Sequence, residues 1–230
     1  MAMRKVPLVE KEFYHIYNRG VDKRDILLDK YDLDRFLKGM EEFNVIKPIG
    51  SIYENRVRNH GRQASTVAQA QKQDTPLVNF IAYGVNRNHF HFILEQVAER
   101  GIEKFMHRLG TGHSKYFNTR HKRSGALFQG KFKAKLINSN EYLLHLSVYV
   151  NLNDRVHSRG RLASTLSRTS WDEYIKDDCV DDFCKKDIIL GQFKNKKGYR
   201  KFAESSLDDI IERKILLEEE MEDPDTENTA

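Results

Sequence analysis

Asn86-Arg87-Asn88-His89-Phe90-His91-Phe92-Ile93-Leu94 begins with three polar turn formers and passes into an alternation of imidazoles with aromatic and aliphatic side chains. Alternation is the signature of a β-strand, whose successive side chains point to opposite faces of its sheet. His89 and His91 are therefore expected on one face, and Phe90 and Phe92 on the other, aimed at a core. Residues 77–85 read as the partner strand of a hairpin that turns at Asn86-Arg87-Asn88. Two neutral imidazoles side by side on a rigid strand are half of a metal site. The alternative for a bare His-x-His pair is one buried, hydrogen-bonded ring and one ring facing water.

The flanking segments give the architecture. Residues 12–17 read as a first strand, ended by the turn Asn18-Arg19-Gly20. A helix over 31–45 places Leu33, Phe36, Leu37, Met40 and Phe43 at helical spacing. The polar, aperiodic stretch 55–75 reads as a mobile insertion in a strand-to-strand connection. After the hairpin come a helix over 102–116, a strand over 127–137 and a helix over 139–153, for which Asn138 with Glu141 suggests a capping box. Strand-helix-strand-strand-helix-strand is the order of an α+β, ferredoxin-like antiparallel sheet, with the last helix available to cover its free face. Residues 8–156 would form this domain. Helical patterns at 180–190 and 199–217 suggest a C-terminal helical extension over 157–217, followed by an acidic disordered tail at 218–230.

At 230 residues the chain can bury one good core. Mean hydropathy is −0.68, no apolar run approaches a membrane span, and Met1 to Pro7 holds no apolar core of signal-peptide length. The expectation is a cytoplasmic protein with no membrane partner. Cys179 and Cys184 are the only cysteines, which excludes a disulfide framework and a four-thiolate zinc site.

The formal charge of +5 understates the basic surface. Seven acids and no Lys or Arg lie after residue 217, so the rest of the chain carries 39 basic against 27 acidic residues, a net +12. Such a body suits a polyanion. Between Lys104 and Ile137 there are nine Lys or Arg and no acid. His107, His113, His121, Tyr116, Phe117, Phe128 and Phe132 interleave. Charge for phosphates and flat rings for unstacked bases are what a single strand requires, and a solvated basic face is the alternative. Lys131, Lys133 and Lys135 alternate and are expected to share a strand face.

At 100° per residue Tyr142, Leu146, Tyr149, Val150 and Asn153 fall on one face of their helix, with Tyr149 and Asn153 four positions apart. A hydroxyl and an amide in an apolar stripe, buried without partners, would cost about 1–3 kcal/mol each. Convergence with His89 and His91 on a metal and a ligand would satisfy them; a core tyrosine and a helix-capping Asn is the alternative.

These motifs resemble those of the single-tyrosine HUH transposases, with length and C-terminal part most like the REP-associated members. His89-Phe90-His91 resembles the His-hydrophobe-His signature, and Tyr149-Val150-Asn151-Leu152-Asn153 the tyrosine helix, in which an amide follows the tyrosine by four residues. His15-Ile16-Tyr17-Asn18-Arg19-Gly20, the segment 123–133 and Glu141-Tyr142-Leu143-Leu144 match in order, so the resemblance spans about 12–156 plus Trp171-Asp172-Glu173-Tyr174. Asp154 stands where the family often has Pro, which leaves the helix free to run on.

The resemblance implies an HUH endonuclease fold. It implies His89, His91 and Asn153 as ligands of one Mg²⁺ or Mn²⁺, and Tyr149 as a nucleophile that forms a 5′-phosphotyrosine. Two imidazoles and an amide are an unusual set for Mg²⁺, which favours Mn²⁺ as a competent substitute. The implied partner is single-stranded or hairpin DNA, with Asn18, Arg19, Lys115, Arg120, Lys122, Arg123, Lys131, Lys133 and Lys135 as candidate contacts. Tyr149 could serve its own subunit or that of a homodimer partner. A rolling-circle initiator or relaxase would use the same chemistry without these flanking motifs. A non-catalytic single-stranded nucleic-acid-binding protein would keep the basic surface alone. A purely structural zinc site would need thiolates or further His.

Overall fold

The computed structural model describes residues 7–60, 75–158, 166–179 and 183–222. Its strands are β1 (Phe13–Arg19), β2 (Val78–Val85), β3 (His89–Gln96), β4 (Lys133–Leu136) and β5 (Arg168–Thr169). The helices are α1 (Lys30–Glu42), α2 (Ile52–His60), α3 (Gly101–Arg120), α4 (Asn140–Asn151), α5 (Asn153–Ser158), α6 (Trp171–Ile175), α7 (Asp187–Leu190) and α8 (Lys196–Glu222). All pairings are antiparallel and the sheet order is β4-β1-β3-β2-β5. The four strands of the expected ferredoxin-like motif thus stand in the order 4-1-3-2, with β5 added beyond β2.

The period-2 pattern sorts the side chains into two cores. Tyr14, Ile16, Phe90, Phe92 and Leu94 face α1 and α3, packing with Phe36, Met40, Phe105, Met106 and Leu109. The opposite face carries Ile93 and Ala82 beneath α4, where Leu146, Val150, Trp171, Tyr174 and Tyr199 close a second core. The C-terminal helices share this core with α4 rather than standing apart. Helix α1 begins where Asp29 accepts the Asp32 N–H through its side chain, and Leu33, Phe36 and Met40 recur on its buried stripe.

Five boundaries differ from expectation. The N-cap of α4 is Ser139, whose hydroxyl accepts the Tyr142 N–H at 3.1 Å, not Asn138. That shift takes Glu141 out of the capping-box position. The tyrosine helix ends at Leu152 (φ −107°, ψ 19°), and the chain resumes as α5 from Asn153, consistent with Asp154 in place of a helix-stopping Pro. The strand expected over 127–137 is regular only at 133–136, because Gly130 (φ 70°) turns the chain just before it. Residues 55–60 belong to α2, and the remainder of the expected insertion, 61–74, lies outside the described residues. Residues 218–222 of the expected acidic tail extend α8; 223–230 lie outside the described residues. No described helix is long and apolar enough to cross a membrane.

Candidate active site

Antiparallel register lines up one row of residues across all five strands: Lys133, Tyr17, His91, Gly84 and Thr169. Directly opposed residues share a face, so this row runs under the tyrosine helix. At its centre Gly84 leaves a gap. A Cβ there would stand 2.7 Å from the Val150 carbonyl oxygen and 3.2 Å from Asn153 Cβ, so glycine is what lets the end of α4 descend onto the sheet beside His91.

That close approach brings the expected residues together. Tyr149 Oη lies 3.5 Å from His91 Nε2, and the two rings meet edge to face with centroids 5.2 Å apart. His89 Nε2 lies 3.1 Å from Asn153 Oδ1. The His89 and His91 centroids are 5.3 Å apart, on the shared face that the alternation implied.

Each imidazole is held by a further residue. His89 Nδ1 is 2.6 Å from Asn88 Oδ1, and Asn88 is itself fixed by donating from Nδ2 to the Lys23 carbonyl. An amide oxygen only accepts, so the His89 proton resides on Nδ1 and Nε2 keeps its lone pair. His91 Nδ1 lies 2.9 Å from His15 Nε2 on β1. Burial, reinforced by the Lys135 charge, lowers the His15 pKa to about 4, so that ring is neutral near pH 7.

The donor set fits a divalent ion. His89 Nε2 and Asn153 Oδ1 are both lone-pair atoms, and at 3.1 Å they repel unless a proton or a cation lies between them. Asn86 Nδ2 supplies the proton here, donating to both. The same spacing is close to the roughly 3 Å between neighbouring ligands around a small six-coordinate cation bound at about 2.0–2.1 Å. Asn153 is fully buried, and its Nδ2 has no hydrogen-bond partner among the described residues. Among those residues no group of three or more His, Cys, Asp or Glu could hold a metal.

A buried chain of hydrogen bonds fixes the helix that carries Tyr149. The Tyr83 N–H donates to Ser170 Oγ (2.9 Å), and the Ser170 hydroxyl donates to Asn151 Oδ1 (2.6 Å). Asn151 Nδ2 then donates to Tyr199 Oη (2.9 Å), which pairs with Ser147 Oγ at 3.1 Å. Ser147 passes its own proton to the Leu144 carbonyl. Asn151 thus ties the tyrosine helix to both the sheet and α8.

The basic residues separate into two sets. Lys133 and Lys135 stand on the His91 face, above the rings of Tyr17 and Tyr142 respectively. Lys131 precedes the regular strand and instead lines a cleft on the opposite face with Lys115, Asn18, Phe90 and Phe128. The three lysines therefore do not share a face. Arg120 forks onto Asp29 and Asp32, and Arg123 bonds Asn118 and the Ala126 carbonyl. Lys122, just past the end of α3, adopts a left-handed conformation (φ 48°). Asn18 and Arg19 hold the turn at Gln129 and Gly130. His113 is buried and donates to the Ile26 carbonyl, His121 bonds Asp32, and Phe117 is in the core.

Sequence reasoning missed Asn86, Asn88, Asn151, Ser170 and Tyr199 as supporting residues. Asn86 and Asn88 were read as turn formers, and nothing in the sequence alone ties Tyr199 to a helix some fifty positions earlier.

No curated protein matches the chain. One solved structure, described as a REP-associated tyrosine transposase bound to a REP hairpin, resembles it over 76% of this chain and 86% of that one, at 13% identity and a TM-score of 0.48. Residues 52–153 match the family model described as IS200-like transposase, a segment that holds His89, His91, Tyr149 and Asn153. Residues 52–153 are thus similar to the IS200-like transposases, in keeping with the resemblance read from the chain's motifs.

Proposed function

We propose that the protein cleaves and rejoins single-stranded DNA, at hairpin or repeat sequences, through a covalent bond to Tyr149. The observation that carries this reading is the meeting of the Tyr149 hydroxyl, both HUH imidazoles and the Asn153 oxygen at one end of the sheet. Tyr149 Oη attacks the scissile phosphorus, the P–O3′ bond breaks, and a 5′-phosphotyrosine and a free 3′-hydroxyl result. The phenol loses its proton, and the departing O3′ gains one. Because the ester bond is kept on the enzyme, a second 3′-hydroxyl can reverse the step and join strands without a nucleotide cofactor.

His89, His91 and Asn153 would hold Mg²⁺ or Mn²⁺, which when bound polarises the phosphate and favours the phenolate. Tyr149 serves the site of its own chain, since it already faces His91 there. Lys133 and Lys135 offer the phosphate backbone two positive charges on the same face, and Tyr17 offers a flat ring between Lys133 and His91.

The test is a denaturing gel. Wild-type protein, labelled hairpin DNA and Mn²⁺ should yield a covalent adduct, and Tyr149→Phe should yield none. An adduct persisting in Tyr149→Phe refutes the assignment of the nucleophile. DNA binding with no adduct under either metal would favour a non-catalytic single-strand binder.

A further inference from the structure

The β1 segment His15-Ile16-Tyr17 carries an imidazole that the reaction above does not use. His15 is 8% exposed, its Nε2 is 2.9 Å from His91 Nδ1, and the two rings are stacked with centroids 5.1 Å apart at 25°. Tyr17 stacks on both, 4.8 Å from His15 and 5.5 Å from His91, so the stack holds the planes of both rings.

One proton lies between the two nitrogens, and its owner determines what the other edge of His91 can do. If His15 donates, the His91 proton sits on Nε2, toward Tyr149, and that nitrogen cannot bind a cation. If His91 donates, Nε2 presents a lone pair. We infer that His15 is a positioning residue that accepts the His91 Nδ1–H and so keeps His91 Nε2 a lone-pair donor at the site. The inference rests on the metal-assisted reading above and deepens it.

His89 has the parallel arrangement, its Nδ1–H received by Asn88. Both imidazoles of the pair are thus oriented through Nδ1, one by an amide oxygen and one by a third imidazole. An outer partner of this kind fixes both the tautomer and the ring direction of a ligand, and its loss weakens metal binding about 10–100-fold.

Mn²⁺ uptake by the full-length chain without DNA, followed by the loss of the free-ion electron spin resonance signal, separates acceptor from packing. His15→Phe keeps a flat ring but has no lone pair and should bind Mn²⁺ about 10–100-fold more weakly. His15→Gln restores an acceptor oxygen and should stay within about threefold of wild type, with thermal unfolding confirming that both variants fold. Wild-type affinity in His15→Phe overturns the inference, as does a folded His15→Gln as weak as His15→Phe. Should His15→Phe not fold, nitrogen-15 spectra of the wild-type imidazoles without metal decide: a His91 proton on Nδ1 supports the assignment, and one on Nε2 overturns it. Wild-type protein that takes up no divalent ion overturns both this inference and the metal in the proposed reaction. Intact Mn²⁺ binding without any Tyr149 adduct refutes the reaction alone.

Discussion

Replacing Tyr199 by Phe removes one oxygen more than 40 positions from the proposed nucleophile, yet the structure predicts a consequence at Tyr149. The hydroxyl accepts from Asn151 Nδ2 at 2.9 Å and pairs with Ser147 Oγ at 3.1 Å, in a region closed to water. Burial pushes the phenol pKa up to about 12, so it stays a proton donor across the usable pH range. Without it, the Asn151 donor and a Ser147 lone pair are stranded. An unsatisfied buried group costs about 1–3 kcal/mol, offset in part because the polar hydroxyl is no longer buried, so a net loss of about 2 kcal/mol is expected. For a chain of this size that lowers Tm by about 4–8 °C. Scanning calorimetry checks the stability, and the rate of Tyr149 adduct formation at 25 °C checks the coupling. Adduct formation should slow several-fold while the chain remains folded, because Asn151 lies between Tyr149 and Asn153. A Tm within about 1 °C of wild type and an unchanged adduct rate would refute the view that the buried chain sets the helix.

Two further outcomes follow from other contacts. Gly84→Ala drives a methyl against the Val150 carbonyl and Asn153 Cβ. Overpacking of this kind costs about 1–3 kcal/mol, and unfolding midpoints together with Mn²⁺ uptake should both fall; a variant with normal Mn²⁺ affinity would show that the close approach is dispensable. His113 is 1% exposed and its pKa is lowered from 6.5 to about 4 by burial, so below pH 6.5 the unfolded chain takes a proton that the folded chain refuses. Its contribution is complete above 6.5 and falls as pH drops toward 4, by up to about 3 kcal/mol at 1.36 kcal/mol per unit. His113→Gln keeps a donor for the Ile26 carbonyl and should flatten this acid slope in urea titrations at pH 7 and 4.5, leaving the share due to His15; an unchanged slope would refute the assignment.

The sheet was legible because its signal is local. His89 to Leu94 alternate, and the structure puts the imidazoles and the phenylalanines on opposite faces as that pattern requires. Helical spacing anticipated that Tyr149 and Asn153 lie on the imidazole side, but the helix breaks at Leu152, and it is the start of α5 that puts Asn153 beside His89. The basic surface was read less well. Alternation holds only inside a regular strand, and β4 begins two residues after Lys131, so Lys131 parts from Lys133 and Lys135. Arg120, a candidate DNA contact from the sequence, is paired with Asp29 and Asp32, about ninety residues away. Asn86, Ser170 and Tyr199 were illegible for the same reason: a hydrogen bond between distant segments leaves no periodic trace.

The placement of Lys131 and Lys115 behind the sheet, with Lys133 and Lys135 in front, constrains the path of any polymer that touches both. The barrier between them is a wall of hydrogen-bonded backbone that offers no opening. A strand engaging the two sets must bend around the outer rim formed by β4 or over the strand ends. At that rim, β4 is only four residues long and bears exposed lysines, features that discourage a neighbouring chain from adding itself to the sheet. The same short strand that guards against aggregation therefore leaves a charged corner around which a flexible polyanion can fold.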